Sequence, residues 1–240
     1  MGGCVIGNEY LFIDRFFESQ FELLNVNEAH RRDVNTLYTF LNNLHSTADR
    51  LKSDFGVDIK KYPEFKLLRM IRNYLHHGGD VQEIRLKVLT KQNVMLSHSE
   101  HLIIPLAFFA KSLRSFIEKN KKNQKYIDEE LSCISEIFSY IYDASTNLDV
   151  FCNKPQLKLD GVAHEMGLDL FKFAYNITNI IAEECRKIPA LKNKAVIVEL
   201  EETYSLKFNI PKRDELCLPN NIPLLTTQGF VYAKKVEPVA

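Results

Sequence analysis

The sequence has no net charge and no long apolar run, and both absences exclude classes of protein. Lysine and arginine together number 31 among the 240 residues, and so do aspartate and glutamate. The chain therefore has no overall basic field that would attract nucleic acid, and any contact with RNA must come from a local patch. No apolar stretch approaches the roughly 18 residues of a membrane span, and the first residues lack the charged and apolar regions of a signal peptide. We expect no membrane-spanning segment and no membrane partner.

Cysteines are few and do not form a pattern. The five cysteines lie at wide, irregular spacings with no Cys-x-x-Cys pair: Cys4, Cys133, Cys152, Cys185 and Cys217. An odd number without regular spacing favours a reduced intracellular protein over a disulfide-linked secreted one. We therefore predict a cytoplasmic location.

The motifs of several common enzyme classes are also missing. The chain has no Gly-rich phosphate loop, no Gly-x-Ser-x-Gly and no His-Glu-x-x-His. Nucleotide hydrolysis, serine hydrolysis and zinc proteolysis therefore lose their usual sequence support. His76, His77, His98 and His101 are an alternative metal site, but no cysteine or carboxylate joins them at a characteristic spacing. We predict neither a metal site nor a cofactor.

Most of the apolar residues recur at helical spacing. Hydrophobic residues make up 45% of the chain, which is enough for a substantial core. The pattern predicts helices over 9–24, from 34 to about 56, from Pro63 to before Gly78, and over 106–120, 126–151 and 164–187. The chain is therefore predicted to be mainly α-helical.

Two stretches alternate apolar and polar residues instead. Residues 84–104 predict a β-hairpin with a turn at 90–93, and residues from 195 to 232 predict short strands. These C-terminal strands are expected to pair with the hairpin in one small antiparallel sheet. We predict a helical domain over 1–190 that carries the hairpin at about 84–104, and a β-containing extension over 191–240 packed on the same domain.

The predicted helix after Pro63 has a sharply divided surface between residues 66 and 77. At 100° per residue its apolar side chains lie on one side and would face the core. The polar residues share an arc of roughly 140° that contains no carboxylate. They are Lys66, Arg69, Arg72, Asn73, His76 and His77.

These polar groups suit chemistry on a phosphodiester. Arg72 and His76 are four residues apart, as are Asn73 and His77, so each pair can reach the same small volume. An arginine offers phosphate a permanently charged fork, whereas a histidine with an ordinary pKa of about 6.5 exchanges protons near neutrality. In RNA the 2′-OH attacks the adjacent phosphorus when a base, a cation and an acid are supplied, and that reaction requires no metal.

The segment Arg72-Asn73-Tyr74-Leu75-His76-His77 resembles the Arg-x(4-6)-His motif of the HEPN superfamily, in its Arg-Asn-x-x-x-His form. The resemblance implies a HEPN-like helical bundle and a metal-independent endoribonuclease, in a toxin-antitoxin or phage-defence setting. It implies that Arg72 and His77 are the catalytic pair and that Asn73 orients them. It also implies a homodimer whose cleft is built from both motifs, with an antitoxin or other regulatory protein as a further partner. Some toxins of this family carry a modifiable tyrosine two residues after the histidine, where this chain has Gly79.

The dimer addresses a geometric difficulty, because Arg72 and His77 are about 140° apart on an ideal helix. We expect Lys66, Arg69 and His76 to bind the RNA substrate beside the catalytic residues. Three alternatives remain. The motif could belong to a catalytically inactive HEPN-type module that binds RNA, a nucleotide or a protein. The basic residues could simply complement the C-terminal end of a helix dipole. The chain could also be a purely structural dimerisation protein.

Overall fold

The protein is mainly helical and carries small antiparallel β elements, as predicted. The computed structural model describes residues 9–24, 36–77, 79, 81, 83–87, 100–159, 162–211, 216–217, 223–226 and 229–232. The helices are α1 (Leu11–Leu24), α2 (Thr36–Phe55), α3 (Pro63–His77), α4 (Leu106–Asn120), α5 (Gln124–Ser135), α6 (Ile141–Thr146), α7 (Leu148–Cys152), α8 (Phe171–Lys187) and α9 (Ala195–Val198). The strands are β1 (Ile84–Lys87), β2 (Glu100–Pro105), β3 (Gln156–Leu159), β4 (Val162–Glu165), β5 (Gly167–Asp169), β6 (Leu216–Cys217), β7 (Pro223–Thr226) and β8 (Gly229–Tyr232). None of the described helices is long and apolar enough to cross a membrane.

Local signals in the sequence set the ends of the first helices. α2 ends where Gly56 adopts a left-handed φ of 72°. The amide of Val57 donates to the carbonyl of Leu51 at 3.1 Å, which is the bonding pattern of a glycine-terminated helix. α3 begins at Pro63, whose ring suits the first helical turn. The predicted C-terminal end of α2 and the predicted start of α3 are thereby confirmed.

Helix α3 lies at the centre of the fold, in contact with α2, α4, α5 and α8. Its apolar side is buried in the main hydrophobic core, as Leu67, Met70 and Ile71 illustrate. The aromatic face of α1 belongs to the same core through Phe12, Phe16 and other buried side chains. Because helices pack around α3 on several sides, its polar residues meet protein as well as solvent.

The antiparallel pairing predicted for the hairpin strands is confirmed, and the pair is part of a larger sheet. Strands β1 and β2 pair antiparallel, and the sheet continues in the order β1-β2-β5-β6. The predicted turn at 90–93 lies outside the described residues. Among the described C-terminal strands, β6 joins this sheet through β5, whereas β7 and β8 form a separate two-stranded hairpin. Among these described strands β6 alone therefore lies in the same sheet as the hairpin, and it pairs with β5 rather than with a strand of the hairpin.

The single helix predicted over 126–151 is wrong, because the segment forms α5, α6 and α7. The first break has a tertiary cause. The buried Lys172 of α8 donates from Nζ to the carbonyl of Ile137 at 2.7 Å, so that a side chain binds this carbonyl where a continuous helix would use a backbone amide. At the second break the amide side chain of Asn147 donates to the carbonyl of Asp143 at 3.0 Å. Phe138, at the first break, is buried in the core.

The helix predicted over 164–187 begins seven residues later than expected, at Phe171. Residues before it form β4 and β5, and β5 pairs with β2 through the register Ile104↔Leu168. Asp169 ends this strand, since one carboxylate oxygen accepts the backbone amides of Leu102 at 3.1 Å and Phe171 at 3.0 Å. The carboxylate thus joins the strand to the helix that follows it.

Strands predicted between 195 and 210 are also wrong. This segment forms α9 and a short 3₁₀ helix at Leu206–Phe208. Ile197 and Leu200 are buried in the core with α1 and α8, so helices rather than a sheet cover their side chains. The backbone of Ile210 is bonded to the Asn176 side chain, which accepts at 2.8 Å and donates at 3.0 Å. A side chain of α8 therefore takes the place of a neighbouring strand.

Candidate active site on helix α3

The polar side of α3 faces two different neighbours. Arg72 and His76 lie toward α2, whereas Asn73 and His77 lie toward α4. This division follows from helical periodicity, since residues four apart lie above one another and residues five apart do not.

Helix α2 anchors the first pair of side chains. Arg72 donates from Nε to Oδ1 of Asn42 at 3.0 Å. The hydroxyl of Tyr38 and Nδ1 of His76 are in hydrogen-bond contact at 3.0 Å. Tyr38 and Asn42 are four residues apart on α2, like His76 and Arg72 on α3, so the two hydrogen bonds lie one helical turn apart between the helices. Together they hold a permanent cation and an imidazole side by side on one surface.

His45 of α2 lies next to this pair. Its ring stacks on Phe65 with the centroids 6.2 Å apart, and its Nε2 lies 3.7 Å from the Asp49 carboxylate. Burial lowers the pKa of His45, and the positive charge of Arg72 lowers it further, while Asp49 opposes the shift. This imidazole therefore stays neutral to lower pH than an ordinary histidine.

The second pair of side chains borders a cavity between α3, α4 and α5. The cavity has a volume of about 210 Å³. Its walls include Arg69, Asn73 and His77 of α3, Ser115, Phe116 and Asn120 of α4, and Tyr126 of α5. We call it the α3–α4–α5 cavity.

Asn73 connects the two sides of the helix. Its Oδ1 accepts from Nη1 of Arg72 at 3.3 Å, and its side chain also lines the α3–α4–α5 cavity. The rings of His76 and His77 are neighbours as well, with centroids 5.3 Å apart and planes at 71°. Within one chain, therefore, Arg72 bonds to α2 and His77 borders the α3–α4–α5 cavity, so the two residues face different neighbours.

Lys66 and Arg69 lie against a carboxylate that the sequence of α3 does not reveal. Glu130 of α5 is buried, and its two oxygens lie 2.9 Å from Lys66 Nζ and 2.5 Å from Arg69 Nη2. Arg69 also donates to the Tyr126 hydroxyl at 3.0 Å. Burial acts to lower the pKa of Lys66, but the bond and charge of Glu130 outweigh it, so the pKa lies above the ordinary value. Both cations are thus neutralised in the structure, and their predicted contact with substrate stays a prediction.

Sequence reasoning missed four residues of this site. Tyr38, Asn42 and His45 follow one another at steps of four and three on α2, and such a polar row beside an apolar face was a readable signal. Glu130 carried a signal of its own, because it interrupts the apolar stripe of α5. A carboxylate on a buried helix face needs a cationic partner.

The end of α3 leaves no space for a side chain at position 79. A Cβ atom on Gly79 would lie 2.6 Å from the ring of Tyr74, which packs against Phe108. In this chain the position two residues after His77 therefore cannot hold a tyrosine without moving that ring.

The described residues contain no group of three or more histidine, cysteine, aspartate or glutamate side chains arranged to hold a metal ion. His98, one of the four histidines of the alternative metal site, lies outside the described residues. Comparison of the chain with family models, curated proteins and solved structures finds no match.

Proposed function

We propose that the protein is a homodimeric, metal-independent endoribonuclease of the HEPN type, with Arg72 and His77 as its catalytic pair. The observation that carries the proposal is the paired anchoring of Arg72 by Asn42 and of His76 by Tyr38. Preorganised cations and proton-transfer groups accelerate phosphoryl chemistry because they need not be ordered during the reaction. Basic residues that only complemented the helix dipole would not require these hydrogen bonds to α2.

The proposed reaction uses the ribose itself as nucleophile. An imidazole takes the proton of the 2′-OH, and the 2′-oxygen attacks phosphorus. Arg72 stabilises the extra negative charge of the five-coordinate phosphorus. The same imidazole then donates that proton to the departing 5′-oxygen, which leaves a 2′,3′-cyclic phosphate and a free 5′-OH. We assign the proton transfers to His77, with His76 and Asn73 positioning the phosphate.

A second copy of the chain completes this arrangement. Because Arg72 contacts α2 and His77 borders the α3–α4–α5 cavity, the two groups act on one phosphate most directly when they come from different protomers. Joining two motif helices also concentrates cationic groups at one cleft in a chain that is neutral overall.

The test is cleavage of end-labelled RNA by the purified protein in the presence of EDTA. We expect Arg72→Ala and His77→Ala each to reduce the cleavage rate by about 10²–10³-fold, which is the usual effect of losing a transition-state cation or a general acid–base group. Matched controls are Arg50→Ala, which removes an arginine from an exposed pair with Asp54, and His164→Ala on β4. Cleavage that survives in both motif variants would exclude these residues, and RNA binding without any cleavage would identify an inactive binding module.

The dimer is tested by mixing the two inactive variants. If each site takes Arg72 from one protomer and His77 from the other, a heterodimer of Arg72→Ala and His77→Ala contains one intact site. Random exchange makes half of the dimers heterodimers, so activity should return to about a quarter of the wild-type value. No recovery after confirmed subunit exchange would contradict a site shared between protomers.

A further inference from the structure

The α3–α4–α5 cavity has a shape and lining that the cleavage reaction does not explain. It lies beside the motif, since Asn73 and His77 form part of its wall. We propose that this cavity binds one nucleobase of the RNA substrate and so determines the base preference of the enzyme. The inference rests on the proposed function, but the binding that it predicts can be measured without catalysis.

Size limits what the cavity accepts. Its volume of about 210 Å³ is below the range of roughly 300–1,000 Å³ that is usual for sites binding drug-sized molecules. A single planar ring system with a few polar atoms suits such a space, whereas a folded peptide segment or a base pair does not.

One wall of the cavity is aromatic. The rings of Phe116 and Tyr126 lie with their centroids 5.9 Å apart and their planes tilted by 59°. Single-stranded bases bind proteins chiefly by stacking on such rings. The Tyr126 hydroxyl accepts from Arg69, which fixes the ring that a base would meet.

The other walls carry amides and hydroxyls. The Asn120 amide donates to the carbonyl of Phe116 at 2.8 Å, and Oδ1 of Asn73 accepts from Arg72. Among the described residues, Oδ1 of Asn120 and the NH₂ group of Asn73 have no hydrogen-bond partner in the structure, and neither does the Ser115 hydroxyl. Such donors and acceptors match the edge of a base, which carries both.

The charges around the cavity favour a nucleotide over a cationic ligand. No carboxylate is among the described residues that line it, and Lys119 and His77 are exposed at its border. Arg69 is already neutralised by Glu130, so it contributes to the wall rather than offering a free charge. A phosphate attached to the bound base would therefore meet Lys119 or His77, close to the proposed reaction centre.

The test measures binding of the four nucleoside 3′-monophosphates to the full-length protein by isothermal titration calorimetry. Ser115→Leu places a larger apolar side chain at the cavity wall and should reduce the affinity for the preferred nucleotide at least tenfold. Phe116→Leu removes the stacking ring and should reduce that affinity by a similar factor. Ser132→Leu on the exposed side of α5 is the matched control and should bind like the wild type. Circular dichroism confirms that each variant is folded, and two cavity variants keep the test valid if one is not.

Two further measurements separate this inference from the proposed function. Ribose 5-phosphate, which has no base, should bind at least tenfold more weakly than the preferred nucleotide; equal binding would show a phosphate site and overturn the inference. The Arg50→Ala variant, which removes an arginine from an exposed pair on α2, should still bind the nucleotide. If RNA is not cleaved but Ser115→Leu abolishes nucleotide binding, the cavity assignment stands and the nuclease proposal fails. If RNA is cleaved and no nucleotide binds, or Ser115→Leu leaves binding unchanged, the cavity assignment fails alone.

Discussion

The buried carboxylate of Glu130 is the most informative single group to change. It forms ion pairs with Lys66 and Arg69, whose side chains are 16% and 21% exposed, while its own side chain is 7% exposed. The substitution Glu130→Gln keeps the shape of the side chain and removes its charge. Two partly buried cations then lose the anion that balances them.

The expected loss of stability follows from the burial of the two cations. Removing one partner of a fully buried ion pair costs about 3–5 kcal/mol, because an uncompensated charge is left in the interior. Here both cations retain some contact with water, and the glutamine oxygen still accepts one hydrogen bond. We therefore expect a smaller loss, of about 2–3 kcal/mol. For a chain of 240 residues that corresponds to a fall in Tm of about 4–12 °C.

Urea denaturation followed by circular dichroism at pH 7 measures this loss. The matched control is Glu129→Gln, the neighbouring residue, which is exposed and lies 3.8 Å from the exposed Lys125. Exposed pairs of this kind contribute about 0–1 kcal/mol, so the control should change the free energy of unfolding little. A loss for Glu130→Gln below about 0.5 kcal/mol, or one equal to that of the control, would refute the view that Glu130 balances two interior charges.

Two other substitutions test the groups around α3. Tyr38→Phe removes the contact with Nδ1 of His76; we expect a change in the NMR chemical shifts of the His76 ring and, under the proposed function, a fall in cleavage of about 2–10-fold, the value of one hydrogen bond. Unchanged shifts of the His76 ring would show that the contact does not form in solution. Burial raises the pKa of Glu64, so its ionised form destabilises the folded state. This destabilisation is complete above the folded-state pKa. It disappears as the pH falls through that pKa toward the unfolded value of about 4.3. Glu64→Gln should therefore raise the urea midpoint at pH 7, and the gain should shrink toward pH 4; a gain that grows in acid would contradict this sign.

The helices that the sequence predicts well are those whose signals are local. α1 to α4 each carry a complete apolar face, and Pro63 and Gly56 mark boundaries by their own backbone preferences. Two departures of the structure from prediction have a deciding partner that is distant in sequence. Lys172 breaks the helix predicted over 126–151, and strand β2 draws residues 167–169 out of the helix predicted over 164–187. Periodicity alone cannot reveal either partner.

Helical periodicity by itself determined which residues of α3 share its polar side, because angular position on a helix depends only on residue spacing. It thereby placed Arg72, Asn73 and His77 on one polar helix side and set Arg72 and His77 at different angles around the helix axis. Only the tertiary structure decided what each residue faces. α2 holds Arg72, Glu130 of α5 neutralises the cations at 66 and 69, and α4 closes a cavity beside His77. These partners lie far along the chain, and packing of the shared core brings them to α3.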